Sequence, residues 1–393
     1  MKRFFDLQLF DTESISTAGD ALRSYYLPGL RTQINERTSA LVAQIDRTSE
    51  GVEGSDIKMA MRYGRQGGVG FIADTGSLPT PYARKTKQVT MTTKNCVAYI
   101  LIYDKVIEAS KSNVAAFANM LTQNLKDAQV DAKEQYGRNF FGDGTGKLTT
   151  VTTHTAEAIT MGDVTGIYEG MALDSYTSDT AHDEAMRVTK VVRSTKVVTV
   201  DAETDTENSD DIYVAGCKDH EMTGFAAVFN SATDIYGLTR SDYPFLYPQE
   251  LNVNGELEDA KVEEGFNLSE DVAGGIINLL AGSRGVRRAY ASYLSASRHQ
   301  NDTMDLKGGW KAISCNGVPL VGEKYIASGV LYGFQTGDWK VYQMADWDWM
   351  DRDGAILKWI ANTTSYGAVL RKYAELGCQC PAAQVRYYGI TEH

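Results

Sequence analysis

The stretch from Ser112 to Phe141 constrains the rest of the chain more than any other. Its apolar residues Val114, Phe117, Leu121, Leu125, Ala128, Ala132, Tyr136 and Phe140 recur every three or four positions, which lines one face of a helix. Gln123, Lys126, Asp127, Asp131, Lys133, Glu134 and Arg138 fall on the other face, with Glu134 and Arg138 spaced for an i,i+4 ion pair. Ser112 is placed to cap the first turn, and Gly142 to end the last one in the left-handed conformation glycine tolerates. Some thirty residues at about 1.5 Å each give a rod of roughly 45 Å, a strut rather than an ordinary globular-domain helix. Gly142-Asp143-Gly144-Thr145-Gly146 follows it at once.

The 393 residues around that strut suggest two or three domains, and 43% hydrophobic with 23% charged residues is the composition of a soluble globular protein. The longest apolar runs, Val272 to Ala281 and Cys96 to Tyr103, are far short of a membrane span, and Met1 to Phe10 has no signal-peptide pattern. With 39 basic against 51 acidic residues, the net charge of −12 provides no drive to coat nucleic acid or an anionic membrane. Cys96, Cys217, Cys315, Cys378 and Cys380 are odd in number and lack framework spacing, which fits a reducing compartment and cytoplasmic synthesis.

The first sixty residues are polar. Ile34, Thr38, Leu41 and Ile45 predict one short helix near Gln33 to Asp46, within an extended arm that needs a neighbouring surface to become ordered. From Gly64, glycines lead through Phe71-Ile72-Ala73 and a Leu78-Pro79-Thr80-Pro81 turn into a Thr- and Lys-rich β-prone run from Lys87 to Tyr103, which reads as an extended two-stranded arm.

After the rod, Lys147 to His220 is β-rich, with strands expected at Ala158–Met161, Met171–Tyr176, Met186–Val192, Val197–Ala202 and Ile212–Ala215 and a hairpin turn at Ser194-Thr195. Such spacing predicts a small barrel or sandwich, with Ile159, Met171, Leu173, Val188, Val191, Val198, Val200, Ile212 and Val214 as its core. The acidic stretch Asp201 to Asp211 reads as a solvated loop.

Further on, a helix capped by Ser269 is expected to run to Ala281, followed by a strand at Arg288–Ala291 and a helix at Tyr293–Asn301. Extended segments are expected at Val318–Ile326, Tyr342–Met350, Ala355–Glu375 and Gln384–Ile390. The class is α+β.

No motif carries chemistry. Gly142 to Gly146 follows a helix where phosphate cradles precede one, and it lacks a Gly-Lys-Ser/Thr ending. Asp346, Asp348, Asp351 and Asp353 lack the glycine offset and closing Glu of a calcium loop. Cys378-x-Cys380 is too tight for a zinc knuckle, and the five histidines are dispersed. No catalytic residue, cofactor or metal is expected.

The order of parts resembles the major capsid proteins of tailed phages, the Hong Kong 97 type: a polar arm, an extended hairpin with a Leu-Pro turn, and a long helix ending in Phe140-Phe141-Gly142-Asp143-Gly144-Thr145-Gly146. An α+β half follows, containing Gly317-Val318-Pro319 and closing on Pro381-Ala382-Ala383-Gln384-Val385. The resemblance implies an N-terminal arm at 1–62, an E-loop at 63–103 and a peripheral domain with its spine helix at 104–146. It implies an inserted β domain at 147–220, more peripheral domain at 221–266, an axial domain at 267–345 and peripheral return strands at 346–393.

It further implies pentamers and hexamers of an icosahedral head around double-stranded DNA, bound without sequence-specific contact. A separate scaffolding protein, a portal protein, a possible decoration or minor capsid protein, no membrane and no enzymatic activity belong to the same expectation. Leu78, Pro79, Tyr82, Arg84, Lys85 and Lys87 become the inter-subunit contacts of the E-loop. Where some relatives place a cross-linking lysine directly before a proline, this chain has Leu78 before Pro79 and Thr80 before Pro81. Such shells are expected to be held non-covalently, with the β insert on the outside. The alternatives are an encapsulin-like compartment shell and a phage tail or adhesin binding module.

Overall fold

The computed structural model describes residues 38–64, 68–74, 76–83, 85–105, 114–296, 303–307, 310–351 and 354–393, and within the long helix its side chains from Asp127 onward. That helix, α1, spans Val114–Asn139. Ala132, Tyr136 and Phe140 are buried on its inner face and Asp127 and Asp131 lie outside, as the periodicity requires. The anticipated cap, Ser112, lies outside the described residues.

The end of α1 departs from expectation. Phe140 and Phe141 are both buried, and the Phe225 amide donates to the Phe140 carbonyl at 2.7 Å, so the chain leaves the helix there to enter the core. Left-handed backbone falls at Gly144 (φ 94°) and Gly146 (φ 84°), not at Gly142. The Glu134–Arg138 pair does not form. Arg138 is buried and turns to Glu221, while Glu134 takes Lys324 at 2.9 Å, because both find partners across the fold.

α1 lies on a five-stranded sheet of Asp46–Thr48, Trp339–Trp349, Ser365–Cys378, Lys358–Trp359 and Lys94–Tyr103. The Tyr136 ring meets Trp347 edge-on at 5.5 Å. Ser365–Cys378 is central, with Lys94–Tyr103 antiparallel along its other side, so Lys94–Tyr103 belongs to the body and not to a projecting arm. The arm is instead the ribbon of Asp56–Arg62 and Thr86–Thr92 with its tip between them. Ala40, Leu41, Val42 and Ile45 are also buried in this core, where Glu323 accepts from the Ser39 hydroxyl (2.8 Å) and the Leu41 amide (3.1 Å). The described part of the N-terminal segment therefore orders against its own chain; of the helix expected at Gln33 to Asp46, residues 33–37 lie outside the described residues, and the described remainder holds a 3-10 turn, Val42–Gln44.

A second, seven-stranded sheet has the order Gln249–Gly255, Val385–Ile390, Leu331–Phe334, Leu279–Ser283, Val318–Glu323, Trp310–Cys315, Thr303–Leu306. The stretch 346–393, expected as return strands of the peripheral domain, thus divides, Ser365–Cys378 entering the first sheet and Val385–Ile390 the second.

Helices α3 (Asp259–Ala273) and α4 (Arg284–Ala296) cover the seven-stranded sheet, burying Val262, Val286, Tyr290 and Leu294 against Tyr387. The expected helix from Ser269 to Ala281 is corrected. Ser269 lies inside α3 with its hydroxyl donating to the Ala383 carbonyl at 2.7 Å, Gly274 (φ 67°) ends that helix, and Leu279–Ser283 is a fully buried strand. The expected strand at Arg288–Ala291 is replaced by α4, whose spacing of Val286, Tyr290 and Leu294 is helical; of the helix expected at Tyr293–Asn301, residues 293–296 are the last turn of α4 and 297–301 lie outside the described residues.

The two sheets are joined by aromatic rings. Helix α2, Phe225–Phe229, sets Phe225 against Phe334 at 5.1 Å and Trp339 at 5.0 Å, and stacks Phe229 on Tyr332 at 4.2 Å. The buried Arg240 guanidinium caps α2, donating to the Ala227 carbonyl at 2.8 Å and the Val228 carbonyl at 3.1 Å.

Residues 147–214 form a closed six-stranded barrel in the order Val197–Val200, Ala158–Met161, Lys147–Thr155, Asp211–Val214, Ala172–Thr177, Thr180–Val192. Ile159, Leu173, Val188, Val198, Val200 and Ile212 are buried in its core, Met171 and Val191 pack at its margin, and Val214 is only half-buried. Val151, Met161, Val164, Ile167 and Met186 complete it. Lys147–Thr155 had no strand signal because Val151 is its only buried apolar residue among threonines. Asp210, expected on a solvated loop, is fully buried and accepts from the Glu207 amide and pairs with His182, at 2.8 and 2.7 Å.

Candidate assembly surface

The ribbon is built from alternation. Ile57, Met59 and Met61 on one strand and Val89 and Met91 on the other are buried, while the intervening Lys58, Ala60, Gln88 and Thr90 face outward. Its end next to the tip is pinned to the body by Tyr63, whose ring stacks on Phe245 at 5.1 Å, and by Lys87, whose ammonium sits 5.0 Å from the centre of the Tyr243 ring. Beyond Gly64 the tip narrows until glycine opposes proline. Cβ atoms placed on Gly68 and Gly70 would meet Pro81 at 3.1 Å and Pro79 at 3.4 Å.

Of the expected contact residues, Leu78 (83% exposed) and Tyr82 (69%) point into solvent, as does Lys85. Pro79 is half-buried against Gly70, Lys87 is occupied by Tyr243, and Arg84 lies outside the described residues. The sequence reading missed Val69 and Phe71, which are more exposed still, at 91% and 110%. The available signal was two large apolar residues placed among glycines, where no periodicity could bury them.

A second apolar surface lies on the outer face of the five-stranded sheet. Val97, Tyr99, Leu101 and Tyr103 alternate along one face of Lys94–Tyr103, and Tyr99, Leu101 and Tyr103 line an open groove with Trp359 and Ile360. Tyr99 lies across Gly367 on the next strand, its hydroxyl oxygen at 2.6 Å and ring atoms at 2.7 and 3.0 Å from where a Cβ would be, so only glycine admits the side chain there. Each surface groups several exposed large apolar side chains, the pattern of a contact site and not of singly scattered residues.

Beneath this sheet lie buried charges. The Lys372 ammonium, fully buried, donates to Asp346 at 2.8 Å and Gln343 at 3.1 Å and sits 5.3 Å over the Tyr136 ring. Glu375 accepts from the Thr223 amide at 2.7 Å and the Leu376 amide at 3.0 Å, and burial pushes its carboxyl up to about 7. A folded-state pKa above the ordinary 4.5 means the folded chain holds a proton that the unfolded chain releases, so this group's contribution to stability is lost as pH rises from about 4.5 through 7. Glu375→Gln, which keeps both amide contacts, is expected to flatten the pH dependence of the unfolding free energy across that window. Chemical denaturation at pH 5 and pH 7.5 checks this, and equal slopes for the two chains would refute it.

Among the described residues no three or more His, Cys, Asp or Glu side chains converge on a metal position, and no helix is long and apolar enough to cross a membrane. All five cysteines are free.

No family model and no curated protein matches the sequence. The backbone does find relatives. A subunit of the capsid asymmetric unit of cyanophage A-1(L) aligns over 93% of this chain and 93% of that chain with a TM-score of 0.55, at 11% identity. The chain has the Hong Kong 97-type capsid fold. Below that level of similarity stand the holo-SrpI encapsulin complex from Synechococcus elongatus PCC 7942 (TM-score 0.49, 10% identity, 100% of this chain and 99% of that one) and the capsid of a native GTA particle (TM-score 0.45, 10% identity, 90% of each). At about one residue in ten identical, the Hong Kong 97-type fold is held by packing pattern, not by shared motifs.

Proposed function

We propose that this chain is the major capsid protein of a tailed double-stranded DNA phage, forming pentamers and hexamers of an icosahedral head. The observation that carries the reading is the pair of uncovered apolar surfaces, the ribbon tip at Val69, Phe71, Leu78 and Tyr82 and the sheet face at Val97, Tyr99 and Tyr103, on a chain with a capsid fold. A tip that finds no cover at home is suited to the exposed face of a second copy, which makes the contact heterologous and able to close into rings. In this reading the residues before Asp56 act as the arm, the ribbon is the E-loop, α1 is the spine, and the seven-stranded sheet is the axial domain.

The barrel is an insert on the outer face of the shell. Residues 147–220 hold fourteen acidic and six basic residues, so they carry −8 of the chain's −12, and that charge disfavours a lumen filled with DNA phosphates. A separate scaffolding protein, a portal protein and a decoration or minor capsid protein complete the assembly, the virion head is its location, and the role is structural. Electron microscopy of the protein co-expressed with its scaffold is expected to show capsomers or closed shells that dissociate to monomers on denaturing gels. Trimers, fibres or only small compact particles would overturn the proposal.

A further inference from the structure

Among the described residues, the barrel meets the rest of the chain in two regions of different chemistry. The first is the pair of backbone links, 142–146 and 215–223. They run side by side, with the Asp219 amide donating to the Thr145 carbonyl at 2.8 Å and the Cys217 carbonyl 2.6 Å from where a Cβ on Gly146 would be. Gly144, Gly146, Gly216 and Asp219 all have positive φ (94°, 84°, 70° and 59°), and none of residues 215–220 is buried. On the body side the links end in firm anchors, the Thr223 amide on Glu375 and the Phe225 amide on the Phe140 carbonyl. Rotation is therefore concentrated in a few small or left-handed residues.

The second contact is a cluster on the flank of the barrel. The Lys324 ammonium donates to the Tyr168 hydroxyl and to Glu134 at 2.9 Å, and lies 5.1 and 4.8 Å from the Tyr168 and Tyr325 ring centres. The Tyr325 hydroxyl donates to the same Glu134 carboxylate. From the barrel side, Arg193 stacks on Tyr168 at 5.3 Å and donates to the Val164 and Ile167 carbonyls at 3.2 Å, which stiffens the loop carrying Tyr168.

One cluster thus ties together the barrel (Tyr168), helix α1 (Glu134) and the end of Val318–Glu323 (Lys324, Tyr325). Clefts open beside it, one toward Asp163, Thr165 and Arg284 and the other toward Val130, Asp131 and Glu169. The extensive contacts of the barrel strands are with other barrel strands.

We infer that the barrel is a hinged unit latched to the body by Lys324, Tyr168, Glu134 and Tyr325, and that opening this latch lets it turn on links 142–146 and 215–223 without unfolding. The inference concerns the single chain and stands whatever the chain assembles into. The latch is polar and partly exposed, Lys324 26% and Glu134 40%, so salt weakens it where an apolar weld would be strengthened.

Hydrogen exchange of the full-length chain tests this with Lys324→Met and Tyr168→Phe. Both are expected to speed exchange of the amides at 164–171 and 324–328 by roughly tenfold, the scale of a coupled polar cluster, and 1 M salt is expected to do the same to the unmodified chain. Exchange at Ile159, Val198 and Ile212 in the barrel core is expected not to change, and Lys324→Arg to restore protection. Unchanged exchange at 164–171, or equal acceleration of the barrel core, would show that the cluster is not a latch.

Discussion

Gly224→Ala is expected to destabilise the folded chain by about 3 kcal/mol or more, an effect of the size reserved for overpacked or strained sites. A Cβ at this position would lie 2.4 Å from the Gly142 carbonyl oxygen and 2.6 Å from those of Asn139 and Phe140. All three obstacles are backbone, so no rotamer relieves the clash. The φ of −84° is ordinary for any residue, which makes the cost one of space and not of handedness. Relief requires moving the start of α2 away from the end of α1, and that draws Phe225 out of its contacts with Phe334 and Trp339. Gly216→Ala is the informative control: its φ of 70° strains alanine, but nothing lies within 4 Å, so about 1 kcal/mol is expected. Urea unfolding of the two variants ranks them, and Gly224→Ala at the stability of the unmodified chain would mean that this crossing is looser than its geometry.

Phe71→Asp with Leu78→Asp is expected to leave the subunit folded and prevent its assembly. Both side chains are exposed in the single chain, so their loss costs the monomer almost nothing. In the proposed shell each is covered by a neighbour, and burying a Phe or Leu contributes about 1.5–3 kcal/mol. Two such losses at every contact raise the concentration needed for assembly by at least about a hundredfold. Sedimentation velocity reads the shift, with thermal unfolding as the check on folding. Shells forming at the same concentration as the unmodified chain would remove the ribbon tip from the interface.

What was legible beforehand depended on whether the deciding contacts were local. Ala132, Tyr136 and Phe140 announced the inner face of α1, and Ala158–Met161 was read residue for residue, because both are patterns within one element. Leu279 to Ala281 was misread as the end of a helix because a strand buried on both faces has no alternation, and Leu279–Ser283 lies between two other strands. Arg138 could not reveal Glu221, nor Glu134 reveal Lys324, since those partners stand 83 and 190 residues away in the chain. The exposed tip was legible in part. Leu78 and Tyr82 stood beside a proline turn that drew attention, whereas Val69 and Phe71 had only their polar surroundings to mark them.

The position of Val385–Ile390 has a consequence for how the protein is made. This strand lies between Gln249–Gly255 and Leu331–Phe334, parallel to the first and antiparallel to the second, and Gln384 just before it accepts from the Trp339 indole at 2.9 Å. On the ribosome, the barrel can close once residues 147–214 have emerged, but the seven-stranded sheet stays split until residue 390 is out. Nascent chains, and products of premature termination, therefore carry a gap where the strand belongs. Gln249–Gly255 and Leu331–Phe334 then face one another across an unfilled position, so the strand that emerges after every other strand of its sheet is the one that closes it.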